Sequence, residues 1–327
     1  MEIQDISKII NMHLVKLKDA EIYKRVLFKG NNLIRFDILN RILIDAQYKD
    51  AFDIRTYSEW EIEDRVVDSK AKPIYIVMPR YQHKYVDADT GNEVNTKELN
   101  IKEFDKALKY GIIKKDTKIS HLYTIPMYDI KQTKKSEHSS KEYEVNKPVV
   151  SSSSIIDIAL DIMNCKVDIA NLKDVYFNSR NNTLIITKLP YKKLVSSISR
   201  ILAKYYINCK IEIFTDKACE INYVDLTDND INLIDVSIQY CLNTLLSGED
   251  TLGTEILGEI LSNYEQSMKR VVDIVNIVDM VMFDITKRIQ FSKEFNTDAI
   301  KNVHNLRKAN MLFSEMEASE INSMLLG

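Results

Sequence analysis

Cationic and aromatic side chains that could hold a nucleic-acid strand are concentrated in one stretch of the N-terminal half. Single-stranded DNA is bound without sequence preference by cations that contact phosphates and by aromatic rings on which bases stack. The candidate residues are Arg55, Tyr57, Trp60, Arg65, Lys70, Lys72, Arg80, Tyr81, His83 and Lys84. Their types permit binding to single-stranded DNA.

Two features of the same stretch favour a structural role instead. Trp60 is the chain's one tryptophan, and a large aromatic side chain is often a core residue. Acidic residues also lie between the cations and could neutralise the surface: Glu59, Glu61, Glu63 and Asp64. Composition therefore leaves both interpretations open.

Residues 189–206 form the second stretch of interest, because they combine an apolar stripe with a cationic face. The apolar residues recur at three- and four-residue intervals, as on an amphipathic helix: Tyr191, Leu194, Val195, Ile198, Ile201, Leu202 and Tyr205. The opposite face carries Lys193, Ser197, Arg200 and Lys204. A zinc-peptidase helix would place two histidines four residues apart on such a face, and here Arg200 and Lys204 have that spacing instead.

Motifs for metal, redox or nucleotide chemistry are not found. None of the five histidines (His13, His83, His121, His138 and His304) has a partner four residues away, and the four cysteines show no C-x-x-C spacing. No glycine-rich phosphate loop can be written. Ser196, Ser197 and Ser199 have no histidine nearby in sequence, although a distant partner stays open. We expect no cofactor and reduced cysteines.

Composition is that of a globular protein with two domains. The chain has 327 residues, 45% hydrophobic and 28% charged, with a formal net charge of -3. Residues 1–150 carry 27 Lys and Arg against 24 Asp and Glu, which leaves 18 against 24, so the two parts have charges of +3 and -6. The N-terminus lacks the apolar run of a secretory signal, and we expect a cytoplasmic protein in a bacterial host cell.

Periodicity predicts an α+β N-terminal domain over residues 1–133. The predicted elements are helices at 5–28, 36–48 and 101–110, strands at 54–57, 73–78 and 122–128, and a hairpin at 81–94. Pro79 is expected to close the second strand, and Pro126 suggests an edge position for the third. Residues 134–154 are polar with little periodicity and predict a linker.

The second predicted domain, residues 155–327, is mainly helical with a small sheet. The predicted elements are helices at 155–163, 189–206, 231–246, after Thr254 and from Thr297, with a strand at 211–214 and a hairpin around residues 179–182. Residues 271–289 are the most apolar run, but Asp273, Asp279 and Asp284 interrupt it, which would be costly inside a membrane. We expect a buried or interface helix there and no membrane partner.

Three N-terminal motifs resemble those of the ArdC-like antirestriction proteins, which include LtrC-like proteins. Residues 40–47, NRILIDAQ, resemble the family's N-x-L-L-I-x-x-Q. Its W-x4-R-x-V-x-x-G-x-K-x-I-x-I-x-x-P pattern is matched by Trp60, Arg65, Val67, Lys72, Ile74, Ile76 and Pro79, with Lys70 where glycine is usual. The closing D-x-x-Q-T is matched by Asp129, Gln132 and Thr133.

The resemblance implies a non-specific single-stranded-DNA-binding domain followed by a zincin-like metallopeptidase domain. Residues 200–204, RILAK, stand in the register of the family's H-E-L-A-H, so Arg200, Ile201 and Lys204 occupy the histidine and glutamate positions. A guanidinium cannot ligate zinc, and a lysine beside it repels a dication. Residues 234–240, IDVSIQY, resemble the family's E-A-E-S-V-A-Y but keep only Asp235 as an acid. We expect an inactive peptidase domain and no bound metal.

The leading hypothesis is a non-enzymatic, single-stranded-DNA-binding accessory protein of a phage or mobile element that protects or manages foreign DNA. A second hypothesis is a protein-interaction or structural module, or a defence inhibitor acting by protein binding. Residues 271–289 and the tail, with Leu306, Met311, Leu312 and Met316, would then contact a partner protein or a second copy. The third hypothesis, an active zinc peptidase, is the least favoured.

Overall fold

A computed structural model describes residues 3–27, 36–95, 100–136, 152–211, 225–247, 253–264 and 268–291. Helices and strands are mixed in the N-terminal half, and the C-terminal half is mainly helical with one small sheet. The predicted α+β class is therefore confirmed.

The N-terminal helices agree with the predicted ones except for one break. The first predicted helix is divided by Asp19, whose backbone is extended and whose carboxylate accepts hydrogen bonds from the N–H groups of Glu21 and Ile22. The resulting elements are α1 (Ile3–Leu14), a 3-10 turn (Val15–Lys18), α2 (Ala20–Leu27) and α3 (Ile38–Gln47).

A long antiparallel hairpin dominates the N-terminal half. Strand β3 (Ile74–Asp87) pairs with β4 (Ile113–Asp129) over nearly their whole length, and the register shifts between Arg80 and Tyr81. Strand β1 (Ile54–Arg55) pairs with the end of β4, which gives the order β1-β4-β3.

The strand order β1-β4-β3 explains how the hairpin tolerates both of its prolines, Pro79 and Pro126. The expectation that Pro79 ends its strand is wrong: β3 continues for eight more residues, to Asp87. Because β3 is an edge strand, a missing N–H is tolerated there. Pro126 lies on β4, which is central in the sheet, but β1 covers only Tyr128 and Asp129 of that strand.

The predicted strand at 54–57 is shorter than expected, because a helix begins at Tyr57. Thr56 and Glu59 form a capping box, in which the threonine hydroxyl accepts from the Glu59 N–H and the glutamate accepts from the Thr56 N–H. The T-x-x-E spacing was visible in the sequence. The remaining elements of this half are α4 (Tyr57–Ile62), β2 (Arg65–Val67), α5 (Ile101–Lys109), a 3-10 turn (Ile130–Gln132) and β5 (Thr133–Lys135), which pairs with β2.

The C-terminal half packs a three-stranded sheet, in the order β6-β8-β7, against a group of helices. The predicted hairpin around residues 179–182 is confirmed, and the parallel strand beside it was not predicted. The elements are α6 (Ser152–Met163), β6 (Lys166–Ile169), β7 (Tyr176–Asn178), β8 (Thr183–Ile186), α7 (Tyr191–Cys209), α8 (Asp228–Ser247), α9 (Thr254–Ser262) and α10 (Met268–Phe291). Nearly all of the strand predicted at 211–214, and the helical tail predicted from Thr297, lie outside the described residues.

The main hydrophobic core contains residues from both sides of the predicted linker. Tyr23 and Leu27 of α2 and Ile42 of α3 belong to the same buried cluster as the apolar side chains of α7, α8 and α10. The Tyr23 hydroxyl is 2.8 Å from the hydroxyl of Ser237 on α8. The division at 134–154 stays a prediction, and α2 packs with the C-terminal half.

Helix α10, which covers the most apolar run, lies in this core. Its buried side chains include Val271, Ile274, Val278 and Ile285. Of the two expectations for residues 271–289, a buried helix or an interface helix, burial is confirmed for these side chains, and they are not available to a partner protein. Within the described residues, no helix is long and apolar enough to cross a membrane.

Candidate nucleic-acid interface

Trp60 is not available for base stacking. Its side chain is 0% exposed, and its indole N–H donates to the backbone oxygen of Tyr128 over 2.8 Å. Helix α4 lays the ring against the end of β4, where it is a core residue. The expectation that Trp60 contacts DNA is therefore wrong.

Two arginines proposed as phosphate contacts are engaged inside the protein. Arg55 lies over the Trp60 ring at 5.0 Å and donates to the carboxylates of Asp53 and Glu63. Burial acts to lower the pKa of Arg55, but these carboxylates outweigh it and raise that pKa. Arg65 donates to the hydroxyl and the backbone oxygen of Thr133. Both guanidinium groups hold the fold together.

The motif on α3 has a structural explanation as well. Asn40 accepts from the N–H of Val77 and donates to its backbone oxygen, at 2.8 and 2.9 Å. Gln47 makes the same pair of bonds to Tyr75, at 3.0 and 2.8 Å. These residues are two helical turns apart, and their partners are alternate residues of β3. The two side-chain amides therefore make the hydrogen bonds that the backbone of a neighbouring strand would otherwise make.

The D-x-x-Q-T motif forms the 3-10 turn between β4 and β5. The buried Asp129 carboxylate accepts from the N–H groups of Phe52, Asp53 and Lys131. Gln132 accepts from the Asp129 N–H and donates to the backbone oxygen of Lys72. The motif residues described so far thus satisfy backbone groups of the fold, so a nucleic-acid interface has to be sought among other side chains.

The distal half of the β3–β4 hairpin presents an exposed basic and aromatic face. Residues opposite each other in an antiparallel pair share a face, and Arg80 is opposite His121 while Val86 is opposite Lys114. We call the set Arg80, Lys84, Lys114, His121 and Tyr123 the hairpin face. The three residues on β4 escaped prediction because their neighbours on β3 are set by long-range pairing.

The hairpin face is open to solvent. Arg80, His121 and Lys114 are exposed, and Tyr123 is 41% exposed. The rings of His121 and Tyr123 are 6.5 Å apart. On the opposite face of the hairpin, Tyr85 packs edge-on against Phe104 of α5 at 4.8 Å.

Two acidic residues, Glu93 and Asp116, reduce the positive charge near the hairpin tip. Lys84 is 2.6 Å from the carboxylate of Glu93, which raises the pKa of the lysine, and Asp116 stands opposite Lys84 in the register. The more strongly basic end of the face is therefore that of Arg80 and His121.

The remaining predicted residues are not brought onto this face. Tyr57 is exposed at the start of α4, and Lys70 and Lys72 are exposed between β2 and β3. Tyr81 and His83 alternate with Arg80 and Lys84 along β3, so they lie on the opposite face.

The residues expected in the register of the family's H-E-L-A-H lie on α7. Arg200 forms an ion pair with Asp174 at 2.5 Å, and the Ser197 hydroxyl donates to the same carboxylate. The serine, and then the arginine, hold the pKa of Asp174 below its usual range. Ile201 packs on the main core and Lys204 is exposed. Asp235 accepts a hydrogen bond from Gln239.

Metal ligands do not converge at this place or elsewhere in the described part of the chain. Among the residues that the structure describes, no group of three or more His, Cys, Asp or Glu side chains could hold a metal ion.

Comparison with known proteins identifies similar structures but no similar sequence. No family model and no curated protein matches the chain. The metal-free crystal structure of antirestriction protein ArdC from plasmid R388 has a TM-score of 0.44 and 8% identity, covering 88% of this chain and 98% of that chain. The Mn(II)-bound structure of ArdC has a TM-score of 0.38 and 7% identity, covering 78% and 89%.

Proposed function

We propose that this protein binds single-stranded DNA without sequence preference through the hairpin face, as a non-enzymatic, antirestriction-like accessory protein of a mobile element or phage. The observation that carries the proposal is the exposed juxtaposition of Arg80, His121 and Tyr123 on two paired strands. The cations would contact phosphates, and the rings would stack on bases.

Charge and shape both suit a flexible single strand. A two-stranded hairpin offers a narrow, extended surface, and the face follows it from Tyr123 towards Lys114 near the tip. Eight residues of β3 span about 26 Å at the rise of a strand. A single strand can follow such a track because its backbone is flexible and its bases are unpaired.

The non-enzymatic part of the proposal is supported by the chemistry of α7. Arg200 and Lys204 stand where the family that this chain resembles has zinc-binding histidines. Arg200 also forms an ion pair with Asp174. Metal analysis of the purified protein tests this part. Stoichiometric zinc together with peptide cleavage would contradict it.

A binding titration with a fluorescent oligothymidine tests the hairpin face. We expect Arg80→Gln/Lys114→Gln to weaken binding about tenfold at low salt. The slope of log K against log salt should fall by about 1.4, since each lost contact to a single strand removes about 0.7.

The matched control is Lys70→Gln/Lys72→Gln, which removes the same charge away from the hairpin face. We expect this control to bind like the wild type. Equal losses in the two double variants would contradict the placement of the interface, and no binding by the wild type at low salt would contradict the function.

A second candidate function, protein binding, is favoured by apolar side chains near the hairpin tip. Ile101, Tyr110 and Ile112 are 80%, 66% and 56% exposed, and exposed apolar residues often mark protein contacts. Light scattering of the wild type and of Ile101→Ser/Ile112→Ser tests self-association. A monomer in both cases would contradict a role in self-association.

A further inference from the structure

Helix α7 is unusual in charge among the helices of the C-terminal half. It contains four cations, Lys192, Lys193, Arg200 and Lys204, and no acidic residue. The other described helices of this half, α6, α8, α9 and α10, all contain Asp or Glu. The helix therefore forms a cationic strip in a part of the sequence whose formal charge is -6.

Three of its cations lie in one line along the helix. At 100° per residue, Arg200 is about 20° and Lys204 about 20° from the direction of Lys193, on opposite sides of it. We call Lys193, Arg200 and Lys204 the α7 stripe. It covers about 16 Å at 1.5 Å per residue. All three residues are exposed.

Arg200, at the centre of the α7 stripe, is held in position by Asp174, which in turn is bound by Ser197. Ser197 lies on the same side of α7 but is buried, and its hydroxyl donates to Asp174. Asp174 in turn binds one guanidinium nitrogen of Arg200, whose side chain remains 47% exposed. Since a guanidinium has five donors in a planar fork, Arg200 can contact Asp174 and a second anion together.

We propose that the α7 stripe is a second binding surface for a single DNA strand, contacting its phosphates. Arg200 and Lys204 are about 6 Å apart along the helix axis, which is the order of spacing between neighbouring phosphates in an extended strand. An oligonucleotide that reaches both the hairpin face and the α7 stripe binds more tightly than either surface alone allows. The choice of ligand rests on the proposed function, whereas the surface is distinct from the hairpin face.

The experiment measures binding of a fluorescent oligothymidine of about 20 nucleotides, longer than a typical single-fold footprint, to the full chain. The test variant is Lys193→Gln/Lys204→Gln, which leaves the Arg200–Asp174 pair intact. The control variant is Lys188→Gln/Lys192→Gln: Lys188 precedes the helix, and Lys192 is about 100° away from Lys193. Both variants lose two exposed charges, and thermal melting checks that they remain folded.

The expected result is binding about tenfold weaker for the test variant, with a salt slope reduced by about 1.4, and binding near the wild-type level for the control. Equal weakening of both variants would assign the effect to general charge and overturn the inference. So would wild-type binding by the test variant.

Comparison with Arg80→Gln/Lys114→Gln separates this inference from the proposed hairpin interface. If only the hairpin variant binds weakly, the α7 inference fails and the proposed function stands. If only the α7 variant binds weakly, the proposed hairpin interface fails and the α7 inference stands. Poly-glutamate serves as the probe for an acidic protein. If Lys193→Gln/Lys204→Gln weakens binding of poly-glutamate but not of oligothymidine, the stripe binds an acidic protein and the inference is overturned.

Discussion

The two halves of the β3–β4 hairpin share the same pair of strands but differ in what covers them. In the proximal half, Ile74, Ile76 and Val77 are each 2% exposed, because β3 carries apolar side chains on both faces. In the distal half, which runs from Tyr123 and the Arg80–His121 pair to the tip, cationic and polar side chains reach solvent. One hairpin thus serves as core at one end and as a candidate interface at the other.

The difference shows that motif residues and interface residues need not coincide. The residues that carry the family resemblance, such as Asn40, Trp60 and Gln132, satisfy backbone groups around the proximal half. The candidate interface lies on the distal half, outside those motifs. Substitutions at the two ends should therefore separate stability from binding.

The largest expected effect is on stability, from Trp60→Ala. Removing a fully buried tryptophan leaves a cavity and a Tyr128 carbonyl without its donor, which should lower the free energy of unfolding by about 4 kcal/mol. Urea unfolding measures the change. Tyr57→Ala, on the exposed side of α4, serves as the control and should change it by less than about 1 kcal/mol. A similar loss in both variants would contradict the buried position of Trp60.

Asn40→Ala should lower the free energy of unfolding by about 3 kcal/mol. The substitution leaves the N–H and the carbonyl of Val77 buried without partners. Arg80→Ala, on the same strand beyond the core, should cost less than about 1 kcal/mol. If the two substitutions cost the same, the contrast between the halves of the hairpin is wrong.

Asp37→Asn should change how stability depends on pH. Asp37 caps α3 and is buried, and burial raises its pKa to about 6 against the opposing hydrogen bonds from Asn40. Nearby, Arg41 acts to lower this pKa and Asp279 to raise it. A raised folded pKa gives stability that is fully present below about pH 4 and is lost as the pH rises through 6.

The asparagine variant keeps a good N-cap but does not ionise. Unfolding of both proteins between pH 4 and 7 should show the wild type losing up to about 3 kcal/mol relative to Asp37→Asn. A constant difference across this range would show that the Asp37 pKa is not raised.

The smallest expected effect is that of Tyr123→Ala, which should act on binding rather than on folding. Loss of one stacking ring should weaken oligothymidine binding by about 1 to 2 kcal/mol. Tyr123→Phe keeps the ring and should bind like the wild type in the same titration. If the phenylalanine variant binds more weakly than the wild type, the Tyr123 hydroxyl contributes to binding and stacking alone does not explain the role of Tyr123.

Much of the local structure was predictable because its cause is local. The apolar stripe of α7 and the turn at residues 179–182 follow from short-range periodicity and turn residues. The helix at Tyr57 was also marked locally, by the T-x-x-E capping box, and was missed because two strand-like residues precede it.

The candidate site was only partly predictable. Arg80 and Lys84 were identified from their types, and Lys114, His121 and Tyr123 were not, because they lie about thirty to forty residues further along the chain. Which of them faces Arg80 depends on the register of β4 and on its shift at Ser120, which no local pattern encodes.

By itself, the sequence determined the α+β class and the cationic face of residues 189–206. Only the tertiary structure decided that Trp60 is buried, that α2 packs with the C-terminal half and that β4 completes the hairpin face. The physical reason is that residue type and spacing fix what a segment can bury or bind, whereas contacts between distant segments decide which of its surfaces remain exposed to water.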